Sequence, residues 1–294
     1  MAPPPASPPS PPAAPPPAPL PPDDHVHSEW SWDATAGSMD RTCRRATELG
    51  VPAVAFTEHA EFAPRVVTAA SEVPERLEPM VDGGHLAPPP LDVSGYLEAL
   101  ERCRSTYPQL RIRSGVELSE PHWHPDAAGA VVARGGFERV LASVHSARVG
   151  AGHVDVSSRY DEQPAADVVR DYLAEAAAMV EGYGGFQVLA HIDFPVRYWP
   201  ADAPPYDPGG HEEDYRRVLR ALVDTDRLLE VNTRVPLHPR VLGWWREEGG
   251  RAITFASDAH RPDALADGFA EAVRVATAAG FRPGADPHGF WCRD

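Results

Sequence analysis

Histidine and carboxylate recur along this chain at the ends of short apolar runs. His25 and His27 form a His-x-His pair, Glu58 and His59 close Phe56-Thr57-Glu58-His59, and Glu117 follows Gly115-Val116. His145 ends Ser143-Val144-His145, His191 ends Leu189-Ala190-His191, and Asp258 and His260 share Ser257-Asp258-Ala259-His260. Imidazole and carboxylate together are the ligand set of Zn²⁺, Mn²⁺ or iron. Two histidines on alternate strand positions point the same way and can share an ion. Taken singly, each motif is weak: His-x-His arises by chance, Glu117 can cap a helix, and Asp258 can be an N-cap before Arg261-Pro262. Their repetition at one run after another points to a multinuclear metal hydrolase.

The runs that carry these residues read as strands at 24–28, 53–57, 111–118, 139–144, 186–192, 228–232 and 252–257. Between them, apolar residues three and four apart predict helices at 39–49, 93–107, 165–181, 212–224 and 239–248, with a last one at 268–279. Gly50, Gly182 and Gly280 stand where helix C-caps need a left-handed residue. Seven strands alternating with helices imply a parallel sheet closed into a barrel, and strand-end residues far apart in sequence then meet on one rim. Two longer loops, 60–92 and 201–210, follow strand ends and belong on that rim, where loops set substrate choice.

Composition bounds the rest. The first 22 or so of the 294 residues are almost only Pro, Ala and Ser and read as a disordered or polyproline-like tail; the remainder suits one α/β barrel domain over 23–294. The tail has neither the basic start nor the apolar core of a signal peptide, and no run is apolar enough for a membrane span. Three cysteines without C-x-x-C spacing predict a reduced, cytoplasmic protein. A formal net charge of −16 disfavours nucleic acid as a partner. All 27 basic residues are arginine.

Among the other histidines, His85, His153, His211, His238 and His288 are expected to be solvated, while His122 and His124 follow Glu117 closely enough to compete between substrate contact and plain surface. Trp30, Trp32, Trp123 and Trp199 lie beside the motifs and are expected to wall a pocket; Trp244 and Trp245 read as core.

In order and combination, Asp24-His25-Val26-His27-Ser28, Phe56-Thr57-Glu58-His59, Gly115-Val116-Glu117, Ser143-Val144-His145, His191-Ile192-Asp193, Glu230-Val231-Asn232-Thr233 and Ser257-Asp258-Ala259-His260 resemble the polymerase and histidinol phosphatase (PHP) family, in particular its stand-alone histidinol-phosphatase branch. The resemblance implies an α/β fold, a distorted (β/α)₇ TIM-like barrel, with two to three divalent metals (Zn, Mn or Fe) at the C-terminal rim. Residue by residue, it implies a first metal on His25, His27, Glu117 and Asp258, a second sharing Glu117 with His145 and His191, and a third on His59, His260 and Asp33. Many relatives have histidine where this chain has Asp33, a departure that bears on the third site. The activity implied is hydrolysis of a small phosphomonoester, L-histidinol phosphate first, through a metal-bridging hydroxide, because metals bring the pKa of water from 15.7 toward about 7.

Arg197, six residues past His191, is the first candidate to bind the phosphate, with Arg148 and Arg234 as competitors. Asp258 or His260 would protonate the leaving alkoxide. Glu61, Asp193 and Trp30 are the candidates to contact the imidazole and ammonium of the substrate. One rival is an amidohydrolase, but its usual bridge is a carbamylated lysine and this chain has no lysine. The others keep the fold and act on nucleotides or other small phosphomonoesters, or lose catalysis and only bind.

Overall fold

The computed structural model describes residues 20–68, 73 and 75–293. Seven parallel strands, β1 (Asp23–Val26), β2 (Ala53–Ala60), β3 (Arg111–Ser119), β4 (Arg139–Ser143), β5 (Val188–Leu189), β6 (Leu228–Asn232) and β7 (Ala252–Ala256), lie side by side in sequence order. All eight residues of β2 are buried, as expected of a strand covered on both faces. The sheet curls until its ends meet: Val26 bridges Ala259 in parallel, His27 N donates to Ala259 O and Asp258 N donates to His25 O, both at 2.9 Å. Past β7, an antiparallel pair, β8 (Phe281–Pro283) and β9 (Trp291–Arg293), extends the sheet, with β9 against β7.

A helix follows each parallel strand: α1 (Met39–Leu49), α2 (Val93–Thr106), α3 (Pro125–Gly135), α4 (Ala165–Gly182), α5 (Glu212–Asp224), α6 (Pro239–Glu247) and α7 (Phe269–Ala278). All but α3 bury the stripe their pattern predicts; α4 turns Val168, Val169, Tyr172, Leu173 and Ala176 inward, and Trp244 and Trp245 of α6 are in the core. Ser38 caps α1, whose end is Gly50 at φ 73°, and Gly280 past α7 has φ 87°. Gly182 instead stays within α4, which ends on an extended Tyr183 and has no left-handed cap. The seven expected strands are all present. The run at 186–192 is shorter than its apolar content suggests, because the chain leaves the ladder before His191, whose φ is 22°. Helix α3 was not expected.

The segment 60–92 is not a plain loop. Arg65–Val66, Val81–Asp82 and His85–Leu86 join Ser146–Val149 and Gly152–Asp155 in a second sheet of five short strands. This sheet stands beyond the C-terminal ends of β2 and β4. The proline-rich tail over 1–22 lies outside the described residues except for 20–22, of which Pro21 and Pro22 are buried. No helix among the described residues is long and apolar enough to cross a membrane.

Candidate metal centre

Parallel register assembles the site. β2 and β3 set His59 beside Glu117, and two residues earlier Thr57 meets Gly115, where a Cβ would lie 2.6 Å from the Thr57 methyl. Glycine is thus needed two residues before Glu117. Curling brings β1 against the end of β7, so His25 and His27 face Asp258. Ligand-type atoms gather in four groups, each within 4.8 Å: His25, His27 and Glu117; Glu117, His145 and His191; His27, His59 and His260; and His59, Glu61 and His145. Asp258 Oδ1 is 3.4 Å from His27 Nε2 and 3.8 Å from His25 Nε2. Asp33 stands between His59 Nε2 at 3.4 Å and His260 Nε2 at 3.2 Å. All nine residues expected as ligands therefore converge.

Outer partners orient the rings. Glu230 Oε2 accepts from His25 Nδ1 at 2.8 Å, and the Ser31 hydroxyl, which donates to Glu58, accepts from His27 Nδ1 at 2.9 Å. Both rings then aim Nε2 inward, and these two nitrogens face each other at 3.0 Å. His145, whose Nδ1 contacts the Ser119 hydroxyl at 3.0 Å, likewise faces His191 Nε2 with its Nε2 at 3.4 Å. Buried lone pairs pointed at one another are unfavourable unless a cation sits between them, and Glu117 Oε2 is buried without a hydrogen-bond partner among the described residues. The donor set, imidazole nitrogen with carboxylate oxygen, is the one divalent transition metals take. The residues present fit such ions.

Electrostatics says the same. Burial alone would drive the His25 pKa down, yet Glu230, Glu117 and Asp258 outweigh it and hold it well above the ordinary value. Burial works against the charged form of Glu117 too, but His25, His145 and His59 keep its carboxyl well below the usual range. Burial takes His191 down to about 4, so its imidazole is neutral. A compact group of carboxylates that seeks positive charge is what a metal centre requires. His191 (φ 22°) and Asp258 (φ 53°) also hold left-handed backbone, uncommon for residues with a Cβ and concentrated at functional sites.

A cavity of about 140 Å³ opens beside this cluster. Arg197 lines it and donates to Asp258 Oδ2 at 2.6 Å; Arg234, half-exposed, is 3.4 Å from His260 Nδ1. Glu61 lines it as well, 2.9 Å from Arg65 and 3.7 Å from His145 Nδ1, with its pKa near 2 because Arg65 and His145 outweigh burial. Three expected contacts are elsewhere. Arg148 leaves the cavity and stacks on Trp123 at 4.4 Å, because the chain past His145 turns away into the second sheet. Trp30 packs on Gly95 of α2. Asp193 is buried outside the cavity lining, with its pKa pushed up to about 7 by burial. His122 bonds Glu175 at 2.6 Å and His124 starts α3, so neither reaches the cavity. His211, expected to be solvated, is buried against Tyr206. Of the four tryptophans, only Trp32 walls the cavity.

Other residues at the site had no assigned role in the sequence. Arg65 and Asp155 line the cavity and pair at 3.1 Å, with Phe194 and Tyr198 beside them. They come from two-residue and four-residue strands without readable periodicity. Glu58, adjacent to His59, turns the other way and takes bonds from Ser28 and Ser31. Glu230 is the buttress of both His25 and His191, accepting from His191 N at 3.0 Å. A buried charge in the middle of the apolar run Leu228–Asn232 was the signal.

Known proteins bear on this arrangement. The PHP domain profile matches residues 23–234. A Thermotoga maritima protein described as a probable histidinol-phosphatase is 26% identical over 260 residues, 86% of this chain and 89% of the relative. The histidinol-phosphatase of Lactococcus lactis is 23% identical over 250 residues, 81% and 83% of the two chains. The crystal structure of the Lactococcus lactis histidinol phosphate phosphatase, complexed with zinc, L-histidinol and phosphate, superposes with a TM-score of 0.73 at 22% identity, over 90% of this chain and 95% of that one.

Proposed function

This chain belongs to the PHP domain family, and from that premise we propose that it is a metal-dependent histidinol-phosphatase, converting L-histidinol phosphate and water into L-histidinol and phosphate. The observation that carries the reading is the convergence of nitrogen and carboxylate donors around Glu117, next to a cavity that three arginines line. Metal ions with an exchangeable position polarise phosphoryl oxygens and make water nucleophilic near pH 7. A rim of guanidinium groups suits the phosphate dianion that must sit there. The curled sheet is read as a distorted (β/α)₇ barrel over 23–294, and the free, unbridged Cys43, Cys103 and Cys292 accord with a reducing, cytoplasmic setting.

In this reading His25, His27, Glu117 and Asp258 would hold one ion, Glu117, His145 and His191 a second, and His59, His260 and Asp33 a third. Glu230, Ser31 and Ser119 fix which ring nitrogen His25, His27 and His145 offer. Arg197 sits over the Phe194 ring at 4.9 Å and has one donor engaged by Asp258. Its other donors orient the phosphoryl group. Arg234, 3.9 Å from the other oxygen of Asp258, is placed to reach the same group. Asp258, held well below the usual range by Arg197 and His25 against burial, enters as a base. Glu61 and Asp155 supply the negative charge, and Trp32 and Tyr198 the flat surfaces, for an ammonium and an imidazole.

The test is kcat/KM for L-histidinol phosphate with zinc- or manganese-loaded protein, beside a nucleoside monophosphate. A value of about 10⁴ M⁻¹s⁻¹ or more for L-histidinol phosphate alone is expected, the lower end of ordinary enzyme efficiency. A preference for the nucleotide would transfer the site to that substrate class.

A further inference from the structure

A second cavity, of about 330 Å³, lies behind the wall of the metal centre. Val144 and Ser146 line it, while His145 between them lines the metal-site cavity instead. Successive side chains of extended chain point to opposite sides, so three residues form a partition between the two spaces. Tyr172 is part of the same partition: it lines the second cavity, and its hydroxyl donates to the His191 carbonyl at 3.0 Å.

The charged groups of this cavity are incompletely answered. Arg148 is held flat on Trp123 and has no carboxylate within ion-pair distance among the described residues. Glu175 spends Oε1 on both His122 Nε2 at 2.6 Å and Trp123 Nε1 at 2.7 Å, and among the described residues nothing donates to Oε2. The His122 bond, ahead of burial, keeps its carboxyl below the usual range, so it is ionised near neutrality. On another side, Arg159 donates to Gln163 at 3.0 Å and Gln163 to Asp171 at 3.0 Å, a chain that fixes these polar groups. Val144, Val156, Val168 and Ala174 supply the apolar lining.

We propose that this cavity is a binding site for a small zwitterion with an aliphatic body, an α-amino acid in chemical class. A guanidinium already pinned by an aromatic ring presents its fork to a carboxylate with little ordering cost. The free oxygen of Glu175 takes the ammonium, and the valines take the side chain. An ion of one sign would leave the opposite charge of the cavity unanswered. The volume is near the lower end of ligand cavities, roughly 300–1,000 Å³, which suits an amino acid better than a nucleotide. The ligand would rest on the partition that carries His145 and contacts His191, although the ligand itself touches no metal.

Titration calorimetry on the intact, metal-loaded protein tests this without reference to turnover. The probes are L-leucine, 4-methylpentanoate, which lacks the ammonium, and isoamylamine, which lacks the carboxylate. L-Leucine is expected to bind with a Kd of roughly 1 mM or below, and each single-charge analogue at least about tenfold more weakly. Arg148→Ala and Ala174→Trp change exposed positions, so both fold, and each should weaken L-leucine by at least about tenfold. Three results overturn the proposal: no heat from L-leucine, equal binding of a single-charge analogue, or binding that survives Arg148→Ala, which would place the amino acid on the metals.

Discussion

The two ends of the strands treat buried charge differently. At the N-terminal end, Asp24 accepts from Arg113 at 3.3 Å and from Arg139 at 3.0 Å. Arg113 also donates to the His288 carbonyl, and Arg139 lies over the Phe290 ring at 4.4 Å, so the C-terminal segment seals that end. One residue further along β1, His25 faces His27 nitrogen to nitrogen, and Glu117 Oε2 has no hydrogen-bond partner among the described residues. One end is a closed set of partners; the other is a set of nitrogen and carboxylate donors converging on one another. In barrels of this kind the N-terminal face serves stability and the C-terminal face chemistry. The register irregularity of β1 between Asp23 and Val26 lets Asp24 and His25, neighbours in sequence, serve opposite ends of the strands.

Substitutions should keep the two ends separate. The largest effect is expected from Glu117→Gln, which removes the carboxylate common to two groups of donors. A fall in kcat/KM of about 10⁴-fold, about 5.4 kcal/mol of barrier, is predicted by steady-state kinetics, with metal lost in parallel. Next comes Arg197→Ala, which takes the partner from buried Asp258; phosphate affinity, read as KM and product inhibition, should weaken by roughly 10²-fold, with partial recovery in Arg197→Lys. Glu230→Gln leaves every expected ligand in place but loosens His25 and His191. It should cost about 10–100-fold in metal affinity or rate, measured by competition with a chelator. At the other end, Arg139→Ala should lower stability by about 1–3 kcal/mol in chemical denaturation and leave kcat/KM unchanged.

The smallest effect concerns pH. Glu138 sits near the start of β4 and takes bonds from the Ser114 amide, Arg104 and Arg111, which outweigh burial and lower its pKa. A group with a depressed folded pKa contributes stability that is present above its unfolded value near 4.5 and lost as pH falls below it. Glu138→Gln should therefore lower the melting temperature at pH 7 and flatten its decline on the acid side of pH 4.5, so that variant and wild type converge in acid.

Much of this was legible before any coordinates. The strand ends were readable because each carries a long-range chemical signature after an apolar run, and the barrel rim brings such ends together whatever the helices do. Helix α3 was not, since its pattern is weak: only Ala128 is buried and Gly129 interrupts it. Arg65 and Asp155 were invisible because strands of two to four residues have no period to read. Arg148 misled for a related reason: three residues past His145 is near in sequence, but the chain has by then turned to the other side of the partition. Asp193 and Trp30 were near ligands by number and not by direction.

The contrast between the two ends is tested most directly by metal content, measured by elemental analysis of the protein and two variants after exhaustive dialysis. The wild-type chain and Arg139→Ala should each retain two or more divalent ions per chain, and Glu117→Gln clearly fewer. Less than one ion in the wild type, or equal content in Glu117→Gln, would contradict the assignment of the C-terminal rim as a metal centre.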